Sequence, residues 1–489
     1  MIARILSLSV RARYFVVFAT LLVAAFGVFN LIKLPIDAVP DITNKQVQIN
    51  TSAPELAPLE IEKRVTFPVE TALSGIPGLQ STRSLSRNGF SQVTAVFAEN
   101  TDIYFARQQV TERLTQSRDS LPEGVQPMIG PITTGLGDIF MWTVEYAPLD
   151  PKAGPENDGK PGWQSDGSFL TSEGEQLTDD VSRGAYLRTV QDWIIRPQMR
   201  AITNVAGIDS IGGYEKQFVV EPDPAKLAAF GVSFSDLATA LESSNLSVGA
   251  NFLQRGGESF LIRADARVRT LDEIRRAVVA NRQGVPVSVQ DLAEVKVGGG
   301  LRTGAATKNG EEVVIGTAFM LTGANSRTVA SDVGARLDEV AKSLPEGVQA
   351  NVAYDRAKLV SATISTVEKN LAEGALFVVV ILFVMLGNFR AAMITGMVIP
   401  LSMLMTAIGM NELHVSGNLM SLGALDFGLI VDGAVIIVEN CLRRLAERQH
   451  HEGRLLSLQE RLFEVTEASK EMIQPTVFGQ AIIFLVYAP

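Results

Sequence analysis

Apolar residues gather in two separated blocks of this chain, with a long mixed stretch between them. Tyr14–Leu31 is a nearly unbroken apolar run, preceded by Arg4, Arg11 and Arg13. It exceeds the roughly 7–15 residues of a secretory signal core, so it predicts an uncleaved first membrane span. The second block opens at Ala375–Gly387, which is short, so its helix is expected to begin upstream, near Val367. Ala391–Met410 predicts a third span with Pro400 inside it, tolerable where adjacent helices satisfy the freed backbone groups. Leu419–Val438 predicts a fourth span, and a fifth is expected to start at Pro475 and run through Ile482-Ile-Phe-Leu-Val-Tyr487.

Basic residues in the short loops set the orientation. Arg4, Arg11 and Arg13 precede the first span, Arg390 lies between the second and third, and Arg443, Arg444 and Arg448 follow the fourth. The loop Asn411–Asn418 has no Lys or Arg. The N-terminus is therefore expected inside, with residues from about 35 to 366 outside the membrane on the far side.

That outer stretch repeats itself. Val110-Thr-Glu-Arg-Leu-Thr-Gln-Ser-Arg-Asp-Ser-Leu-Pro-Glu-Gly-Val-Gln126 matches Val333–Gln349 at ten of seventeen positions. In both, an amphipathic helix ends at a Pro-Glu-Gly turn and a strand follows. Around the first copy the pattern predicts strand Val47–Ser52, helix Glu55–Leu73, strands Leu79–Ser86 and Phe90–Phe97, helix Ile103–Ser120 and strand Val125–Ile132. This is the βαββαβ order of a ferredoxin-like unit. The second copy is expected to open at Ile139–Tyr146, pass through a helix near Arg183–Ile202 and close at Val348–Tyr354, with a strand-rich module at 217–298 inserted. Pro148–Asp180, rich in Pro, Gly and acids, reads as a flexible, disordered acidic loop. Gly298-Gly-Gly-Leu-Arg-Thr-Gly304 fits neither GxGxxG nor a Walker A pattern and reads as a glycine-rich turn.

The candidate chemistry lies in the fourth span, which carries Asp426, Asp432 and Glu439. An ionised group at the bilayer centre costs roughly 2.5–3.5 kcal/mol even on the lenient insertion scale. Such acids tend to lie on an ion or proton path. Asp432 and Glu439, seven positions apart, share one helix face about 10 Å apart along the axis. Asp426 falls on a neighbouring face. Glycines at 423, 428 and 433 allow close approach of other helices. The competing reading makes the acids structural glue between helices, with Glu439 ending the span.

Composition narrows the field. Charged residues at 20% and a mean hydropathy of +0.19 fit a chain that is part membrane and part polar domain. The net charge of −10 and the lack of a basic, aromatic-interleaved patch argue against nucleic acid. A single cysteine, Cys441, excludes an intrachain disulfide and a cysteine metal cluster. Three histidines remain, His414, His450 and His451, of which the last two read as solvated surface. The scarcity of His and Cys leaves carboxylates as the main side chains able to hold any cation. Met128, Met141, Met199 and Met320 lack a thioether spacing suited to Cu(I) and read as core packing. With no nucleotide motif, any work done must draw on an ion gradient.

One span, a duplicated βαββαβ outer region and a group of spans with acids in the fourth resemble the N-terminal half of a resistance-nodulation-division (RND) efflux pump. Asp426-Phe-Gly-Leu-Ile-Val-Asp-Gly-Ala-Val-Ile-Ile-Val-Glu-Asn440 is similar to the signature of its heavy-metal branch, the cobalt–zinc–cadmium exporters. Multidrug members usually carry two adjacent aspartates where this chain has Asp432-Gly433. The resemblance covers essentially the whole chain. It implies an α-helical membrane domain plus an α+β periplasmic region of ferredoxin-like βαββαβ subdomains. It further implies that Asp426, Asp432 and Glu439 relay protons in a secondary active transporter, not an enzyme, with no cofactor. The cargo would be Zn²⁺, Co²⁺ or Cd²⁺, and the assembly an inner-membrane homotrimer in the lipid bilayer, docked to a periplasmic adaptor and an outer-membrane channel.

The expected divisions are 1–34 for the N-terminus and first span, 38–135 for a first porter subdomain and 136–216 with 299–355 for a second. Residues 217–298 would be half of the docking domain, and 356–489 spans two to five. Such pumps are about twice this length, and the principal metal ligands of the porter cleft come largely from the other half. This chain alone is therefore expected not to transport. A non-transporting scaffold or an export-assisting member of the superfamily is the alternative. The scaffold does not need three intramembrane acids, and the export helper would have a smaller outer region without a docking insertion.

Overall fold

A computed structural model describes residues 2–34, 43–148, 159–282, 284–300, 302, 304–413, 415, 417 and 427–487. The chain divides into two compact units, Met1–Ile139 with Met320–Ser331 and Asp355–Pro489, and Phe140–Phe319 with Asp332–Tyr354.

The first unit contains a four-stranded antiparallel sheet of β1 (Gln46–Ser52), β2 (Leu79–Arg87), β3 (Phe90–Phe97) and β4 (Pro127–Ile129), in the order β2-β3-β1-β4. Register follows the two-residue alternation of apolar positions. Val47 faces Ala95 and Ile49 faces Val93, all four buried, while the intervening residues are less so. Val69 and Leu73 from one helix, and Ala106, Val110 and Leu114 from Ile103–Gln116, close that face. Asp102 caps the second of these helices, accepting from the Phe105 N–H at 2.8 Å. β4 is shorter than the Val125–Ile132 expected, and Met128 on it is 71% exposed, so core packing does not account for that methionine.

The first helix packed on this sheet begins at Pro58 and contains a π-turn, Glu62–Thr66, before continuing as Phe67–Leu73. Pro68 has no N–H to give, and the residue before it donates five positions back, Phe67 N–H to the Glu62 carbonyl. The second unit repeats the device. Its helix Asp180–Thr189 widens at Val190–Ile195, and Arg196, just before Pro197, donates to the Gln191 carbonyl.

Long helices complete the first unit. By length and composition, two of the described helical stretches are apolar enough to cross a membrane, Arg13–Lys33 and Phe389–Glu412. The second is broken at Met397 into Phe389–Gly396 and Val398–Glu412, one turn before Pro400, whose ring clashes with the carbonyl of Gly396. Arg356–Leu386 starts eleven positions before the expected Val367, because Asp355 caps it on the Ala357 N–H. Leu458–Tyr487 starts well before Pro475, which sits inside it; the true start is a Ser457/Glu460 capping pair.

The first and third apolar helices meet closely. A methyl group at Gly27 would lie 2.6 Å from Leu404 Cβ and 3.0 Å from its carbonyl oxygen. One turn on, buried Asn30 accepts from Asn411 Nδ2 at 2.6 Å and donates to the Phe26 carbonyl. Gly27→Ala is expected to cost about 1–3 kcal/mol by overpacking against backbone, read as a lower thermal midpoint. An unchanged midpoint would show that the helices are not pressed together there.

In the second unit, β5 (Asp138–Tyr146) joins a sheet with strands from late in the chain. Three short strands follow it: β6 (Gly162–Trp163), β7 (Phe169–Leu170) and β8 (Gln176–Leu177) form an antiparallel meander. The described part of the expected disordered loop is thus ordered; residues 149–158 lie outside the described residues. Few apolar side chains hold it, but they are aromatic and well placed. Phe169 is fully buried, with Tyr146 at 4.3 Å and Trp163 at 5.5 Å between ring centroids. The Tyr146 hydroxyl donates to the Arg183 carbonyl at 2.8 Å, and burial pushes its pKa up.

After β9 (Val205–Ile211) the chain runs through β10 (Lys216–Pro222), the hairpin β11 (Ser247–Arg255) and β12 (Glu258–Asp265), the pair β13 (Val278–Arg282) and β14 (Val285–Ser288), and β15 (Ala293–Gly299). β10 pairs with β15 antiparallel, placing Gly298 opposite Gln217 and Gly299 opposite Lys216. The first two residues of the expected glycine turn, Gly298 and Gly299, are thus the end of a strand, while Leu301 and Thr303 lie outside the described residues. Leu237, Ile274, Val289, Ala293 and Val295 form the local core.

β16 (Ala306–Lys308), β17 (Glu311–Met320) and β18 (Val348–Asp355) then complete the main sheet, in the order β16-β17-β5-β18 with β9 also on β17. At its centre Trp142 is fully buried, its Nε1 donating to buried Gln191 Oε1 at 2.9 Å. Gly316 makes this possible, since a Cβ there would fall 2.3 Å from the indole.

Candidate functional site

The acid-bearing segment is described as a helix from Phe427 to Glu452, fourteen residues longer at its C-terminal end than the expected span. Asp426 and the residues just before it lie outside the described residues. At about 100° per residue, contacts fix what each face of this helix does. Gly433 meets the last helix, where a Cβ would lie 2.6 Å from Gln480 Nε2 and 3.1 Å from Thr476. Asn440, two turns along on the same side, is 5% exposed and donates to the Ala468 carbonyl at 3.0 Å. Val435, on the opposite flank, packs into the cluster of Ala392 and Ile399 with Ala375, Val378 and Met403.

Between these two seams runs an exposed stripe of Asp432, Ile436 and Glu439. Neither acid enters an ion pair or hydrogen bond with another described residue. Two carboxylates one above the other, on a helix whose first half is otherwise apolar, can accept and release protons, and neither is committed to a partner among the described residues.

The polar end of the helix is clamped. Arg444 Nε lies 3.2 Å from Glu471, and Arg448 pairs with Glu464, a residue only 7% exposed that Arg444 also approaches at 3.7 Å. Arg443 reaches the Asn440 amide oxygen at 2.9 Å. A buried carboxylate needs such partners, and losing one leaves an uncompensated charge. The network fixes the rotation of the helix about its axis and hence where the exposed acids point. Sequence reading missed it. Regular Arg and Glu spacing at 443–448 and 460–471 was its only trace, and the pairing across two helices needs the turn at Gly453, in left-handed φ. His450 and His451 end the helix exposed. Among the described residues no group of three or more His, Cys, Asp or Glu is placed to hold a metal ion.

Known proteins resemble this chain along its whole length. The chain is 64% identical over all of its 489 residues to the nickel-cobalt-cadmium resistance protein NccA of Alcaligenes xylosoxydans xylosoxydans, covering 45% of that protein. It is 50% identical over the same span to the cobalt-zinc-cadmium resistance protein CzcA of Cupriavidus metallidurans, covering 44% of it. The chain thus spans less than half the length of these relatives. A crystal structure of a heavy metal efflux pump superposes with a TM-score of 0.77 at 28% identity, over 98% of this chain and 43% of that one. The profile of the AcrB/AcrD/AcrF family matches residues 5–489, and the chain belongs to that family of RND transporters.

Proposed function

We propose that the full-length protein carrying this chain exports divalent heavy-metal cations across the inner membrane in exchange for protons. Asp426, Asp432 and Glu439 form the proton relay in this reading. The observation that carries it is the exposed stripe of Asp432 and Glu439, unpaired among the described residues, on a helix anchored along both flanks. Acids serving as glue would be paired at a seam, and here the seams are built by Gly433, Val435 and Asn440 instead. The stripe is the face left for a second set of helices to meet.

The remaining architecture follows the same reading. Residues 35–366 lie in the periplasm. Residues 38–135 form one porter subdomain, 136–216 with 299–355 form a second, and 217–298 belong to the docking region. Helices from 1–34 and 356–489 cross the membrane, in a homotrimer that works with a periplasmic adaptor and an outer-membrane channel. Cobalt and cadmium, the cations common to the names of NccA and CzcA, are the substrates assigned; zinc and nickel distinguish the two relatives and are measured beside them.

Expression of the full-length protein with a matching adaptor and channel in a metal-sensitive strain tests this. Tolerance to cobalt and cadmium is expected to rise, while residues 1–489 alone give none. No rise from the full-length protein, or a defect in protein or lipid export in its place, would favour the export-assisting alternative.

A further inference from the structure

Between the N-terminal helix Ile2–Arg11 and the last helix lies a groove of about 490 Å³ that proton relay and metal transfer do not use. One wall carries Arg11, Arg13 and Tyr14, and the other Leu462, Phe463 and Lys470. Lys470 is paired with Glu467 at 2.7 Å, but neither Arg11 nor Arg13 forms an ion pair among the described residues. Arg13 stacks over the Tyr14 ring at 4.9 Å, which holds its guanidinium at the mouth of the groove. The groove, in which Glu467 and Lys470 neutralise each other, therefore keeps two cations unpaired among the described residues beside an apolar strip of Val10, Leu462 and Phe463, the last 59% exposed.

Its place in the chain decides the ligand. Arg13 and Tyr14 open the long apolar helix Arg13–Lys33, so the groove sits where apolar and basic sequence meet. Ile5 and Leu8 on the short helix are also exposed, giving it an apolar face beside its arginines. Guanidinium groups bind phosphate oxygens in pairs, and a tyrosine at this level is an interfacial anchor.

We infer that this groove binds one anionic phospholipid, its phosphate on Arg11 and Arg13 and its acyl chains along Leu462 and Phe463. Its occupant is a lipid and not free phosphate, since Val10, Leu462 and Phe463 in the lining have no use for a bare anion and suit acyl chains. The inference rests on the membrane reading given above.

The test uses the full-length protein in nanodiscs of phosphatidylcholine alone or mixed with phosphatidylglycerol, with retained lipids counted by native mass spectrometry after detergent exchange. The wild type is expected to keep phosphatidylglycerol in preference to phosphatidylcholine, and raised salt to weaken that preference. Arg11→Gln with Arg13→Gln is expected to reduce the retained phosphatidylglycerol by roughly tenfold. Arg4→Gln, on the same helix but outside the groove, is expected to leave it unchanged. Equal retention of the two lipids by the wild type would overturn the site, as would a preference insensitive to salt. So would a loss that Arg4→Gln causes equally, or a double variant that retains phosphatidylglycerol as the wild type does. Failure of the protein to enter nanodiscs would remove the membrane reading and the site together, whereas entry with unselective retention removes the site alone.

Discussion

Asp432→Asn in the full-length protein is expected to reduce proton-coupled metal flux by on the order of 10²-fold or more, the range over which a lost proton-transfer group is felt, with expression and assembly unchanged. The amide keeps the shape and polarity of the carboxylate and removes only its titratable proton. No described contact depends on that charge, because Asp432 has no partner among the described residues and lies on a face apart from both packed seams. Glu439→Gln, two turns along the same stripe, is expected to behave likewise. Helical spacing alone would put Asp426 on a neighbouring face, and Asp426→Asn is expected to be milder. Were the acids glue, the neutral amides would pack as well or better, since they avoid burying charge. Wild-type flux from either Asp432→Asn or Glu439→Gln returns both to a structural role.

Trp142→Ala is expected to destabilise the second unit by about 3–5 kcal/mol, the range for truncating a fully buried large aromatic. The loss combines a cavity at the centre of the main sheet with an orphaned Gln191 Oε1, which now accepts from the indole at 2.9 Å. Trp142→Phe separates the two effects. It refills most of the volume but leaves the buried amide oxygen without its donor, a cost of about 1–3 kcal/mol. Thermal midpoints of the purified protein should fall in the order wild type, Trp142→Phe, Trp142→Ala. Equal midpoints for wild type and Trp142→Ala would show that this residue does not anchor the sheet.

Alternation made the strands of the first unit readable. Phe90–Phe97 has the bounds its pattern gave, because Ser91, Val93, Ala95 and Phe97 line one buried face. The helix expected over Ile103–Ser120 ends as an α-helix at Gln116 and finishes in a 3₁₀ turn. Proline was the residue read least well. Pro475, the expected start of the fifth span, lies inside a longer helix, whereas Pro400 breaks its helix at Met397. Whether proline ends, bends or widens a helix depends on what can satisfy the freed carbonyls, and that is a tertiary matter. At Pro68 and Pro197 the answer is a π-turn in the same position of two duplicated units, a likeness hidden in sequence by the substitution of every other residue from Glu62–Pro68 to Gln191–Pro197. The meander at 162–177 escaped because its few apolar residues pack on Tyr146 and Tyr186, outside the polar window that was judged.

For the site, sequence supplied the acids and their shared face through helical spacing. It did not supply the clamp of Arg444, Arg448, Glu464 and Glu471, whose members come from two helices and pair only when these lie side by side. Nor did it distinguish Asn440, which looks like the last polar residue of a motif and proves to be a buried bridge to Ala468.

Cobalt uptake into proteoliposomes holding the full-length protein, with an acid interior and no nucleotide present, tests the central claim most directly. Uptake should follow the imposed pH gradient, release interior protons as metal enters, and stop when a protonophore collapses the gradient. Uptake that continues without a gradient, and rises when ATP is supplied, would contradict proton-driven export.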